Sequence, residues 1–133
     1  MRAKQVQLGE VEYAYSEGPG NGPMLVLMHG LSGNRHSWDP VLPYLIDHYK
    51  LYLVDHRGHG FSTHLPGHYH VDVMTEDAAR FIKEVVGESA FVLGHSMGAR
   101  VALHLAARHG DLTKKIVLED PPLGYGPSLE AIR

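Results

Sequence analysis

Ala90-Phe91-Val92-Leu93-Gly94-His95-Ser96-Met97-Gly98-Ala99-Arg100 runs from an apolar tetrad through a Gly-x-Ser-x-Gly turn into a second apolar segment, Val101-Ala102-Leu103-His104-Leu105-Ala106-Ala107. The first segment reads as a short buried strand and the second as a buried helix. A strand that turns directly into a helix around a serine needs small residues on both flanks. The serine backbone is strained there, and a β-carbon at position 94 or 98 would crowd the neighbouring chain. The strain lifts the hydroxyl above the sheet, and the first amides of the following helix point at whatever that hydroxyl attacks. The plainer alternative is a glycine-bracketed turn that happens to hold a serine. The strand before it and the helix after it favour the nucleophile.

Outward from this turn, the chain alternates strands and helices. Residues 4–16, with Val6, Leu8, Val11, Tyr13 and Tyr15 on apolar positions around Gly9-Glu10, read as a β-hairpin. Met24-Leu25-Val26-Leu27-Met28 and the run from Tyr49 to Val54 are continuous apolar stretches, the mark of strands buried on both faces. Between them, Ser37 to about Asp47 reads as a helix with Trp38, Val41, Leu42, Leu45 and Ile46 on one stripe, although Pro40 and Pro43 fall inside it. Residues 72–86 carry Met74, Ala78, Ile82 and Val85 at helical spacing, capped by Asp72 or Thr75. The helix after Ser96 stops at Gly110, Ile116-Val117-Leu118 forms the last strand, and Pro127 to Ile132 looks like the start of a further helix.

Buried strands alternating with helices imply an α/β fold, a mostly parallel sheet with helices on both faces. Such sheets bind ligands at the carboxyl ends of their strands. The loops at those ends carry His29-Gly30, Asp55-His56-Arg57-Gly58 and Gly94-His95-Ser96, so all three open on one edge.

Composition narrows the function classes. With 133 residues the chain supports one domain, and 12 basic against 15 acidic side chains, unclustered, point away from nucleic acid and from a membrane surface. The absence of cysteine removes disulfides, thiolate metal sites and cysteine nucleophiles. The N-terminus leads into no apolar core of a signal peptide, and no apolar run approaches a membrane span, so a cytoplasmic, soluble protein is expected.

Taken together, the three loop signatures resemble those of the α/β-hydrolase superfamily, across essentially the whole chain. The family's His-Gly after the third strand is matched by His29-Gly30, its arginine-glycine-x-glycine-x-serine loop by Arg57-Gly58-His59-Gly60-Phe61-Ser62, and its nucleophile elbow by residues 94–98. The resemblance implies Ser96 as nucleophile, Leu31 and Met97 as the oxyanion-hole amides, and His29, Gly30, Gly94, His95 and Gly98 as residues of the site loops. Serine at 96, where dehalogenases and epoxide hydrolases of the family carry aspartate, points to acyl transfer on an ester or related small-molecule acyl substrate. No cofactor is implied.

The family's order of catalytic residues is serine, acid, histidine, with the last two after strands seven and eight. The hairpin and four further strands account for strands one to six only, so the chain reads as a single partial core over residues 1–133, truncated after strand six, with a cap or lid beginning at about 127–133. Asp120 is an alternative acid, though a turn residue before Pro121-Pro122 is the favoured reading. Neither His104 nor His109 is placed to serve as base, and strand alternation is expected to point His95 away from the site. The base and acid are expected from a C-terminal half chain. The last strand would be an open apolar edge that pairs with such a half or with a second copy in a homo-oligomer. A catalytically incompetent module that associates through this edge is the alternative.

Eleven histidines raise the question of a metal. His68-Tyr69-His70-Val71-Asp72, close to His64, partly echoes a metallo-hydrolase run but has Val73 where its last histidine belongs, so solvated loop histidines are favoured and no metal is expected. Arg57 is expected to be structural, satisfying carbonyls beneath its loop, and Trp38 and Phe61 are either cleft-lining or core.

Overall fold

The computed structural model describes residues 1–122; the helix start and cap expected at 127–133 lie outside them. Six strands form one sheet. In chain order these are β1 (Arg2–Leu8), β2 (Val11–Glu17), β3 (Met24–Met28), β4 (Lys50–Val54), β5 (Ala90–His95) and β6 (Thr113–Glu119). Their spatial order is β1-β2-β4-β3-β5-β6. The hairpin β1–β2 and the β2–β4 pair are antiparallel, while β3 pairs in parallel with both β4 and β5, and β5 with β6. The α/β reading and its strand count therefore hold, with the hairpin slightly longer than residues 4–16.

The pleat sorts the central strands' side chains into two cores. Val26 and Met28 of β3, Tyr52 and Val54 of β4 and Val92 of β5 face one side, where they meet two helices, α2 (Val71–Phe81) and α3 (Met97–Arg108). Leu25, Leu27, Leu51 and Leu53 face the other, where they meet Trp38, Leu42, Leu45 and Ile46.

That second cover departs from the sequence expectation of one helix over 37–47. The segment is a 3₁₀-helix, Arg35–Val41, followed by a single α-turn, α1 (Leu42–Leu45). Pro40 and Pro43 each remove a backbone donor, so the tighter helix prevails over the α-helical stripe. Its start is held by Asn34, whose side chain accepts from the His36 amide at 2.8 Å while the Ser37 hydroxyl accepts from the Asn34 amide at 3.2 Å. The cap of α2 also differs. His70 Nδ1 accepts from the Asp72 amide at 3.2 Å, in place of Asp72 or Thr75 as cap, and past Phe81 the helix widens into a π-turn, Ile82–Val86, that ends at Gly87. Helix α3 begins directly after Ser96, four residues ahead of the apolar run at Val101.

Candidate active site

Ser96 sits between β5 and α3 with φ 51° and ψ −113°, a left-handed backbone that a non-glycine residue adopts only under constraint. The constraint comes from both flanks. A β-carbon at Gly94 would stand 2.6 Å from the Ala99 nitrogen and closer still to the Gly98 carbonyl oxygen; one at Gly98 would stand 2.6 Å from the His29 carbonyl oxygen and closer still to that of Met28. The elbow is thus pressed against the end of β3, and only hydrogen fits at either position. The Ser96 amide donates to the Glu119 carbonyl at 2.9 Å, which ties the turn to the end of β6.

The loop after β3 closes over the same point. A β-carbon at Gly30 would lie 3.2 Å from Ser96 Cβ and 2.9 Å from His95 Nδ1. His29, wholly buried, fixes this loop from below: its Nδ1 donates to the Gly30 carbonyl at 2.7 Å and its Nε2 accepts from the His56 amide at 3.1 Å. Both ring nitrogens are engaged only in the neutral form, and burial pushes its pKa down to about 4. The His56 and His59 rings complete a cluster around it, with centroids 4.6 and 5.1 Å from that of His29. His56 is also buried, and burial followed by the neighbouring His29 drives its pKa well below the usual histidine value. Leu31 is 72% exposed, and its amide makes no hydrogen bond among the described residues. Met97 is the first residue of α3, so its amide has no helical acceptor.

These elements enclose a cleft of about 430 Å³ in which His29, Gly30, Leu31, His95 and Ser96 meet Trp38 and Glu119. Met97 follows the cleft-lining Ser96 directly, and Gly94 and Gly98 flank the turn. His95 corrects the alternation argument. It lies two residues past Leu93, on the sheet face covered by the 3₁₀-helix, so alternation itself brings its ring against Gly30 and both residues line the cleft. Asp120, with φ 51°, follows β6 in a turn conformation and does not line the cleft; its neighbour Glu119 does. His104 lies along α3, and His109, just past its end, pairs with Glu76 at 3.0 Å. Trp38 lines the cleft while buried in the thinner core, whereas Phe61 is an exposed residue outside the cleft, stacked 5.4 Å from the Arg35 guanidinium.

Arg57 is structural, but its main partner is a carboxylate. It donates to Asp77 twice, at 2.6 and 2.8 Å, and only weakly to the His68 carbonyl at 3.3 Å; the Asp77 hydrogen bonds raise its pKa. Sequence reasoning also gave no role to Arg35 and Asp55, a buried pair 2.5 Å apart. Asp55 further accepts from the amides of Arg35 and Phe61, bracing the 3₁₀-helix against the loop after β4. Among the described residues there is no group of three metal-ligating side chains, and His70 serves instead as the α2 cap.

A family model for the alpha/beta hydrolase fold matches residues 23–132. The chain belongs to the α/β-hydrolase family. It is 30% identical over 118 residues to a 2-(acetamidomethylene)succinate hydrolase of Mesorhizobium japonicum, covering 89% of this chain and 42% of that one. It is 37% identical over 98 residues to a pimeloyl-[acyl-carrier protein] methyl ester esterase of Vibrio vulnificus, covering 74% of this chain and 36% of that one. Among solved structures, a hydrolase from Pseudomonas aeruginosa superposes with a TM-score of 0.90 at 28% identity, over 96% of this chain and 49% of that one. The chain thus spans less than half of each relative.

Proposed function

We propose that this chain carries the nucleophile and oxyanion half of a serine hydrolase that cleaves an ester or related acyl compound through an acyl-enzyme. One observation carries the reading: a serine on a strained strand-to-helix turn, facing a glycine loop across a cleft. In this mechanism Ser96 Oγ attacks the acyl carbon and its proton passes to an imidazole base. The Leu31 and Met97 amides hold the negative oxygen of the tetrahedral intermediate, where removing one such donor typically costs about 3 kcal/mol of barrier. Collapse expels the alcohol with the base's proton, and water then releases the acid by the same steps in reverse order.

Among the described residues, His95 and His29 are the histidines that line the cleft, and His29 is neutral with both nitrogens committed. The family's order of serine, acid, histidine puts the base and its acid partner, in this reading, on a C-terminal half seated beside β6. The relatives' additional length is consistent with that source. The non-catalytic alternative draws on the same open edge, with β6 last in the sheet and Val117 60% exposed.

Fluorophosphonate labelling followed by intact and native mass spectrometry separates the two. Labelling at Ser96 that is lost in Ser96→Ala, and that rises when a C-terminal half of a relative is added, supports the hydrolase. A folded chain whose Ser96 stays unlabelled under both conditions overturns it.

A further inference from the structure

Resting on the reading of Ser96 as nucleophile, we infer that the cleft accepts acyl groups without negative charge and that Glu119 enforces this selection. Glu119 stands in direct register with His95 beside the nucleophile, as Val117 does with Leu93, and like His95 it lines the cleft. It is exposed to the cleft and forms no ion pair among the described residues.

No lysine or arginine lines the cleft among the described residues. The nearby guanidinium, Arg35, is spent on Asp55 at 2.5 Å and buried beneath the loop. His29 contributes no positive charge, because its two ring nitrogens serve the Gly30 carbonyl and the His56 amide in the neutral tautomer. An acyl chain ending in a carboxylate would therefore leave water for a wall that, among the described residues, holds a carboxylate and no lysine or arginine, a juxtaposition that disfavours the wrong partner. The remaining lining mixes the apolar Leu31, Trp38 and Val41 with the uncharged hydroxyls of Ser32 and Ser37. The acyl group beside Glu119 is therefore uncharged, or carries a cation that Glu119 can pair.

Trp38 is the chain's single tryptophan and lines this cleft, so its fluorescence reports occupancy directly. Butylboronic acid and 3-carboxypropylboronic acid are similar in size, both add a serine oxygen to boron, and differ in charge. Titrated against the wild type, the butyl compound is expected to bind at least about tenfold more tightly, equivalent to about 1.4 kcal/mol. In Glu119→Gln, with an unchanged urea midpoint as the fold control, the gap shrinks to less than about threefold. Equal affinities in the wild type, or a gap that persists in Glu119→Gln, overturn the charge selection. In that case the nucleophile reading still stands, provided Ser96→Ala has lost both compounds. Binding that Ser96→Ala leaves intact, or no binding either with or without an added C-terminal half of a relative, overturns the nucleophile reading and this proposal with it.

Discussion

The two faces of the sheet are built from the same strands yet are covered unequally. On one face, α2 and α3 bury Phe81 among Tyr13, Tyr15 and Tyr52, with Met74, Ile82, Val101 and Leu105 around them. On the other, a 3₁₀-helix and one α-turn cover Leu25, Leu27, Leu51 and Leu53, while Phe91, Leu93 and Val117 line an open apolar groove over β5 and β6. Chain direction explains the difference. The β3–β4 connection moves one way across the sheet, and the β4–β5 and β5–β6 connections move the other. A uniform crossover hand then places the first on one face and the next two on the opposite face. The cleft with Ser96 opens at the end of the thinner face, where Trp38 belongs both to the core and to the cleft wall. The larger buried core lies on one side and the cleft on the other.

The sharpest way to break this comparison is to hollow each face in turn. Phe81→Ala removes a wholly buried ring that touches three tyrosines and is expected to cost about 3–5 kcal/mol in urea denaturation. Leu93→Ala on the open face removes a half-buried side chain and is expected to cost under about 1.5 kcal/mol. Equal losses would mean that the groove is as well packed as the helical face, and the comparison would fail.

Acid tests the junction between the faces. The His29 side chain is charged in the unfolded chain below about 6.5 but stays neutral in the folded chain until about 4. Between those values the unfolded state holds more protons, so stability is full above about pH 6.5 and falls as pH drops toward 4. The ceiling from this residue is about 3 kcal/mol, at about 1.4 kcal/mol per pH unit, and buried His56 acts in the same direction. Urea midpoints between pH 7 and 4.5 should decline in the wild type and decline less in His29→Gln. Parallel profiles would show that the imidazole cluster does not govern the acid response.

At the elbow, Gly98→Ala sets a β-carbon against the backbone of β3, and a cost of about 1–3 kcal/mol is expected from thermal denaturation. Both elbow glycines were legible in the sequence because their spacing around a serine, between a strand and a helix, leaves few other arrangements. The parallel strands were legible for a similar reason: five-residue apolar runs carry their own burial signal. Legibility failed where distant partners or local competition decide. Glu119 enters the cleft through its register with His95, 24 positions earlier in the chain, and Arg35 meets Asp55 across 20 positions. Nothing in the local pattern announces either contact. The helix expected over 37–47 failed differently, because two prolines outweighed a helical stripe that was real. His95 failed because alternation places it on the thinner face, and only the fold shows that the cleft opens on that face.

The smallest effect on folding should come from the outer strand. Val117 is 60% exposed, so Val117→Lys is expected to change monomer stability by less than about 0.5 kcal/mol. Its effect on association should be large, because among the described residues β6 has no strand beyond it and lies beside the apolar groove. Lys114 and Lys115 already guard the first half of β6, but Ile116, Val117 and Leu118 carry no such charge, and Lys114 leans 5.7 Å from the Phe91 ring. Pairing is therefore expected through the second half of the strand. Sedimentation of the wild type should show species larger than the 14.7 kDa monomer at high concentration, and Val117→Lys should return them to monomer. A wild type that stays monomeric would show that the two lysines suffice to protect the edge. The thin face would then differ from the thick one in packing alone.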